Sequence, residues 1–313
     1  MLSYDSLGAI PEDAFQRGTA VAIGKFDGVH RGHQVLLEHA RAAAEEQDLE
    51  PIVFTFVANP QHLLHPERRL PPIMSQAQRL EAFAAAGITG CVIVPFDDEL
   101  SAMSAERFAE EVLAQRLHVR QVSVGPDFHF GRGGDGDVKM LAEFGARFGF
   151  AVEVIPVVED EELGRISSSR VREAILQGDV TTAARMLGRP VEVRGTVVRG
   201  DARGRDLGFP TANLGGEIEG LIPAEGVYAG WAEVRGTNHH AAISVGNNPT
   251  FTPEGLARVE AFLLDFEGDL YDEQITVRFA ERLRGNVVFS GVEALIQRMR
   301  EDVRETREIL IGR

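Results

Sequence analysis

The chain has 313 residues, enough for two ordinary domains, and its 44% hydrophobic and 26% charged residues are those of a globular protein. Its formal charge of −16 disfavours nucleic acid and anionic membrane as partners, and no window reaches the roughly 18 apolar residues of a membrane span. One cysteine, Cys91, excludes an internal disulfide and reads as a small core hydrophobe in Cys91-Val92-Ile93-Val94, consistent with a reducing cytoplasm. The opening, residues 1–18, is acidic and broken by Gly8 and Pro11, unlike a signal peptide. An apolar run at 21–23 leads into Gly24-Lys25-Phe26-Asp27-Gly28-Val29-His30-Arg31-Gly32-His33. An amphipathic segment, 34–46, follows, with Val35, Leu36, His39, Ala40 and Ala43 on one face. This reads as strand, loop and helix, with the histidines on the opening turn. Residues i and i+3 share a helix face and a helix N-terminus suits phosphate, so His30 and His33 can serve one anion, with Gly32 leaving the approach open. The same string would also suit a surface turn.

Further strands are expected at 51–56, 91–96, 121–125 and 151–156. Helices fall between them at 76–86, capped by Ser75 and stopped by Gly87, from Ser104 to near Leu117, and up to Phe148. Strands alternating with helices imply a parallel sheet that binds ligands at its carboxyl edge. The loops there carry His30 and His33, Asn59, and Asp127-Phe128-His129-Phe130-Gly131. The only lysines are Lys25 and Lys139, and neither forms a Walker motif, so phosphate must be met by Arg, His, hydroxyls, backbone N–H groups and Mg²⁺. Ile166-Ser167-Ser168-Ser169-Arg170-Val171-Arg172 opens a further helix. It reads either as a polyphosphate cradle or as a capped helix with solvated arginines.

After a joint at Leu187-Gly188-Arg189-Pro190 the pattern changes to alternating segments at 191–198, 226–234, 241–245, 257–266 and 274–282. Five or six antiparallel strands suggest a small barrel, closed by a helix over 291–311 with Val292, Leu295, Ile296, Met299 and Val303 as its stripe. In Gly208-Phe209-Pro210-Thr211-Ala212-Asn213, Thr211 and Asn213 point to one side and offer hard oxygen ligands for Mg²⁺ held through nucleotide phosphates. Glu260 interrupts an apolar strand and shares its side with Phe262. It is either a core-edge charge paired with arginine or a general base.

These motifs, with Gly226-Val227-Tyr228-Ala229 and Val245-Gly246-Asn247-Asn248-Pro249-Thr250-Phe251, resemble those of the bacterial bifunctional riboflavin kinase/FAD synthetases over nearly the whole chain. The resemblance implies a Rossmann-like nucleotidyltransferase domain over 1–185 and an antiparallel β-barrel kinase domain with a terminal helix over 186–313. It implies phosphorylation of riboflavin to FMN by ATP, then adenylylation of FMN to FAD with release of pyrophosphate, in the cytoplasm and with Mg²⁺. Glu260 would then take the hydroxyl proton, with Thr211 and Asn213 at metal and phosphate and Gly208 beside the nucleotide. His30 and His33 would act on the second ATP, in a loop with Gly24, Phe26, Asp27 and Gly28. Ser167 and Arg172 would form a distal phosphate motif, and Asn59 and Asp127 would touch flavin. The chain departs from the family pattern at Val57-Ala58-Asn59-Pro60 (with His62 out of register), at His129 for arginine, at Ser169 for threonine and at Asp272 for glycine. The rival reading is a flavokinase whose first domain only binds nucleotide. Oligomeric state is open.

Overall fold

The computed structural model describes residues 1–57, 70–200, 207–246 and 258–311. It divides into two compact units: Met1–Pro71 with Gln76–Ile166, and Pro72–Ser75 with Ser167–Arg313. Among the described residues no helix is long and apolar enough to cross a membrane.

The first unit holds β1 (Leu2–Tyr4), β2 (Thr19–Ile23), α1 (Arg31–Gln47), β3 (Glu50–Phe56), α2 (Gln76–Ala85), β4 (Gly90–Val94), α3 (Asp98–Ala102), α4 (Ala105–Arg107), β5 (Val119–Val124), α5 (Val138–Phe148) and β6 (Ala151–Val154). A two-residue-strand hairpin, β7 (Glu159–Asp160) and β8 (Gly164–Arg165), ends it. The six-stranded sheet is parallel throughout, in the order β1-β4-β3-β2-β5-β6. The chain leaves β2 toward β3 and β4 on one side and returns to β5 on the other. The loop after β2 therefore lies at the switch point, where open α/β sheets bind ligands.

Alternation sorts the two faces. Val21, Ile23, Ile52, Phe54, Val122 and Val124 share a core with Phe108, Val112, Leu113, Leu141 and Phe150. Ala20 packs with Ala44 of α1. The buried residues of α1 are Leu36, Leu37, Ala40 and Ala44, so its face is rotated from the expected one, and His39 binds Glu153 at 2.9 Å. Ser104 caps α4 as expected, but the segment continues as a π-helix, Phe108–Arg116. Cys91 is fully buried.

The second unit opens with α6 (Ser168–Gln177) and α7 (Val180–Leu187). It continues through β9 (Val191–Val198), β10 (Ala212–Glu219), β11 (Gly226–Val234), β12 (Thr237–Gly246), β13 (Arg258–Leu263) and β14 (Gln274–Arg284) to α8 (Val292–Leu310). The six strands close into an antiparallel barrel, β10-β13-β12-β11-β14-β9. Val292 of the expected helical stripe is exposed, while Leu310 is buried against Ala229 and Ala280.

Candidate functional site

The loop after β2 is tightly built. Gly24 N–H donates to the Phe54 carbonyl at 3.2 Å, anchoring the loop to β3. Phe26 is fully buried, with its ring 5.1 Å from that of His33 and 5.3 Å from Phe83 of α2. Phe26 (φ 49°) and Val29 (φ 41°) occupy the left-handed region. A β-branched residue there stores about 1–3 kcal/mol of strain, which the surrounding packing must offset.

That strained turn delivers His30 as the N-cap of α1, its Nδ1 accepting from the His33 N–H at 3.3 Å. With Nδ1 so engaged, the neutral ring carries its proton on Nε2. The His30 and His33 rings stack at 3.7 Å and 13°. A Cβ on Gly32 would lie 3.2 Å from the His30 ring, so glycine is what lets the rings stack undisturbed. No acidic residue occupies the first turn of α1, which leaves its positive end to an anion. Arg31 instead pairs at 2.9 Å with Asp160, whose other oxygen accepts from the N–H groups of Glu162 and Leu163.

Neighbouring loops supply further groups. Asp127, after β5, pairs with Arg165 at 2.9 Å. Desolvation holds the Lys25 ammonium below the usual lysine range, opposed by the Asp127 carboxylate, so the loops after β2 and β5 converge. Phe128 and Phe130 stack at 5.5 Å beside the exposed His129. A Cβ on Gly131 (φ 75°) would meet the Ala105 backbone at 2.6 Å, so only glycine fits. Gly24, Phe26, Asp27, Gly28 and the N-cap His30 thus share one loop, with His33 in the first turn of α1. Asn59 and His62 lie outside the described residues.

Ser167 and Arg172 fall in the second unit. Ser167 caps α6, its oxygen accepting from the Arg170 N–H at 3.4 Å, which leaves its O–H able to donate. Arg172 is buried.

In the barrel, Thr211 and Asn213 flank the buried Ala212, as alternation requires. Glu260 stands opposite Asn213 across β10 and β13 and opposite Ser244 across β12. The Thr211 hydroxyl donates to Glu260 Oε2 at 3.4 Å, and the Asn213 amide donates to the Thr211 carbonyl at 3.2 Å. Among the described residues Glu260 has no arginine partner; its bond is to the Thr211 hydroxyl. A Cβ on Gly200 would meet the Asn213 amide at 2.7 Å, so backbone closes over this group. Thr211 and Glu260 edge a cavity of about 310 Å³ whose walls include Phe209, Ile243, Phe262, Leu295 and Met299. The Arg284–Asp302 pair (2.9 and 2.7 Å) lines it too. Gly208 takes a positive φ of 85° in open space beside it.

Two sets of residues had not been singled out by sequence reasoning. The apolar cavity wall on α8 read only as a packing stripe. Nothing in the sequence pattern marked Arg79, which is buried beneath the first loop.

The FAD synthetase family profile matches residues 12–170 and the riboflavin kinase profile residues 187–310. A bifunctional riboflavin kinase/FMN adenylyltransferase of Pseudomonas fluorescens is 36% identical, covering 94% of this chain and 93% of its own. The protein of the same name in Listeria monocytogenes is 34% identical, covering 92% and 91%. A solved Streptococcus pneumoniae chain, described as a macrolide-efflux protein, superposes with a TM-score of 0.87 at 33% identity over 98% of both chains. Two matched profiles in order, and relatives similar along nearly their whole length, place this chain in the family of bifunctional riboflavin kinase/FMN adenylyltransferases.

Proposed function

We propose that residues 186–313 convert riboflavin to FMN with Glu260 as general base, and that residues 1–185 convert FMN to FAD with His30 and His33 on the nucleotide phosphates. The observation that carries this reading is Glu260, bonded by the Thr211 hydroxyl and opposite Asn213, at the edge of an apolar cavity. The cavity suits an isoalloxazine ring, and its polar edge suits a ribityl hydroxyl. Glu260 takes the proton from the 5′-hydroxyl as that oxygen bonds to the γ-phosphorus and ADP leaves.

Among the described residues no group of three His, Cys, Asp or Glu could by itself hold a metal. Thr211 Oγ1 and Asn213 Oδ1 are hard donors beside a carboxylate and fit Mg²⁺ shared with ATP phosphates. Thr211 and Asn213 would hold Mg²⁺ there, and the ion would supply positive charge to offset that of the phosphates. Gly208 leaves room for the nucleotide.

In the second reaction an FMN phosphate oxygen attacks the α-phosphorus of ATP and pyrophosphate leaves. The nucleophile arrives on the substrate, so the chain supplies donors and positive potential. The Nε2–H of His30, His33 and the α1 N-terminus serve this end, with Gly24, Phe26, Asp27 and Gly28 shaping the loop. Ser167 and Arg172 take nucleotide phosphate, and Asn59 and Asp127 contact flavin. The net charge of −16 disfavours nucleic-acid and anionic-membrane partners, and the single cysteine, Cys91, fits a reducing cytoplasm.

Flavins followed by chromatography in riboflavin, ATP and Mg²⁺ test the assignment. Glu260→Gln should lower FMN formation by roughly 10²-fold or more while FAD formation from supplied FMN stays intact. Replacing His30 and His33 by alanine should do the reverse. Loss of both activities in either variant would refute the division of roles.

A further inference from the structure

Arg79, on α2, is 6% exposed. Its guanidinium donates to three neutral backbone carbonyls: Lys25 at 3.3 Å, Phe56 at 3.1 Å and Val57 at 3.3 Å. Lys25 belongs to the loop after β2, and Phe56 and Val57 mark the carboxyl end of β3. One side chain therefore ties together two adjacent strand ends at the ligand edge of the sheet. The Lys25 carbonyl also accepts from the Thr55 hydroxyl at 3.3 Å. Four residues on, Phe83 of the same helix holds Phe26 edge-on, and Phe26 touches the His33 ring. The side chains of Arg79 and Phe83 thus form a bracket under the loop whose far end is the stacked histidine pair.

A buried cation whose bonds among the described residues all go to carbonyls is an expensive way to tie two loops. An amide would bond carbonyls with far less desolvation cost. Burial works against the Arg79 charge, and the Asp27 carboxylate in the same loop works for it. The retained charge lies beneath the loop that is to receive a polyphosphate, where it acts through a medium poorly screened by solvent.

We propose that Arg79 is a positioning residue for adenylyl transfer: its three carbonyl bonds set the loop that carries His30 and His33, and its charge favours ATP in that loop. The proposal rests on the assignment of the loop to the adenylyl-transfer site. Arg79 touches no substrate. It acts through the backbone of Lys25, Phe56 and Val57.

The test uses the full chain with Arg79→Met, Arg79→Gln and Arg79→Lys. FAD formation from supplied FMN is measured against ATP concentration at two salt concentrations, with the thermal unfolding of each variant, followed by circular dichroism, reporting whether the unit that carries Arg79 is folded. Methionine and glutamine should raise KM for ATP by about tenfold or more and flatten its salt dependence, while lysine restores much of the affinity because it keeps the charge. A purely structural role would lower the active fraction or the melting temperature and leave KM for ATP and its salt dependence unchanged in the surviving enzyme. That result would overturn the proposal. If alanine at both His30 and His33 leaves FAD formation intact, the site assignment falls and the proposal with it. If that variant is inactive but Arg79→Met and Arg79→Gln match the parent KM, the proposal alone falls.

Discussion

Cys91 and Glu260 are both isolated functional groups in apolar strands, and their surroundings separate them. Cys91 is the second residue of β4, with no exposure, and burial pushes its thiol up to about 12. At pH 8 the native chain therefore keeps the thiol protonated, whereas an unfolded chain with a pKa of about 8.5 is partly thiolate. Iodoacetamide at pH 8 should leave the native protein unmodified and add one group after unfolding in guanidinium chloride, read by mass spectrometry. Modification of the native protein at the rate of the unfolded one would contradict this burial. Between the unfolded-chain value and about 12 the native chain holds the proton that the unfolded chain releases, so this group lowers stability as pH rises through that window. Glu260, by contrast, is half-buried at the edge of a cavity with a hydroxyl for a partner. Alternation alone put it beside Phe262, and both line that cavity. Asp272 shows another legible position: where the family pattern has glycine, the aspartate takes φ 66°, a conformation that Asp tolerates better than most residues, and its N–H still donates to Val197 at 2.9 Å.

Elements were legible where a period was long and clean. The alternation in β9, β11 and β14 and the apolar runs of β2 to β5 announced themselves. β10 did not, because Gly215 and Gly216 dilute its pattern. β7 and β8 are too short for any period, and a π-helical stretch carries none that a 3.6-residue search would find. The ion pair that fixes α8 was hidden for a different reason: its partners are 18 positions apart and meet only through tertiary folding. Arg284 donates twice to Asp302, with side chains 17% and 5% exposed, and Arg298 adds a contact at 3.0 Å. These groups sit in the wall to which Leu295, Met299 and Val303 contribute, so the pair sets where that wall stands. Arg284→Met strands a buried carboxylate with one remaining arginine and should cost about 3 kcal/mol, the low end for breaking such a pair. The same variant should weaken riboflavin binding, measured by quenching of flavin fluorescence, more than it weakens FAD formation from supplied FMN. An unchanged denaturation midpoint would show that Arg298 alone satisfies Asp302.

For the molecule as a whole, the division by family profile and the division by packing do not coincide. The FAD synthetase profile runs on to residue 170, past the Ser167 cap, yet the helix that Ser167 caps packs as part of the second unit. The Ile175 carbonyl accepts from the Ala224 N–H at 3.2 Å, and the Gln177 carbonyl accepts from Arg282 at 3.3 Å. The Thr181 hydroxyl donates to the Ala280 carbonyl at 3.3 Å. Val171, Ile175, Val180, Ala183, Met186 and Leu187 are all buried. A fragment beginning at residue 186 loses most of these contacts and opens the barrel surface they covered. A fragment beginning at residue 167 keeps them. Both lack Pro72–Ser75, including the Ile73 carbonyl that accepts from Leu221 at 3.1 Å, so the comparison isolates the two helices. Burial of the three large aliphatic side chains lost, Val171, Ile175 and Val180, at about 1.5 kcal/mol or more each is enough to decide whether a small barrel folds, even after part is lost to residual structure in the unfolded chain. The longer fragment should therefore unfold cooperatively at a denaturant midpoint well above that of the shorter one and retain riboflavin phosphorylation, and neither should make FAD from FMN. Equal midpoints would mean that α6 and α7 lend the barrel nothing. The unit that folds would then begin where the riboflavin kinase profile does, at residue 187.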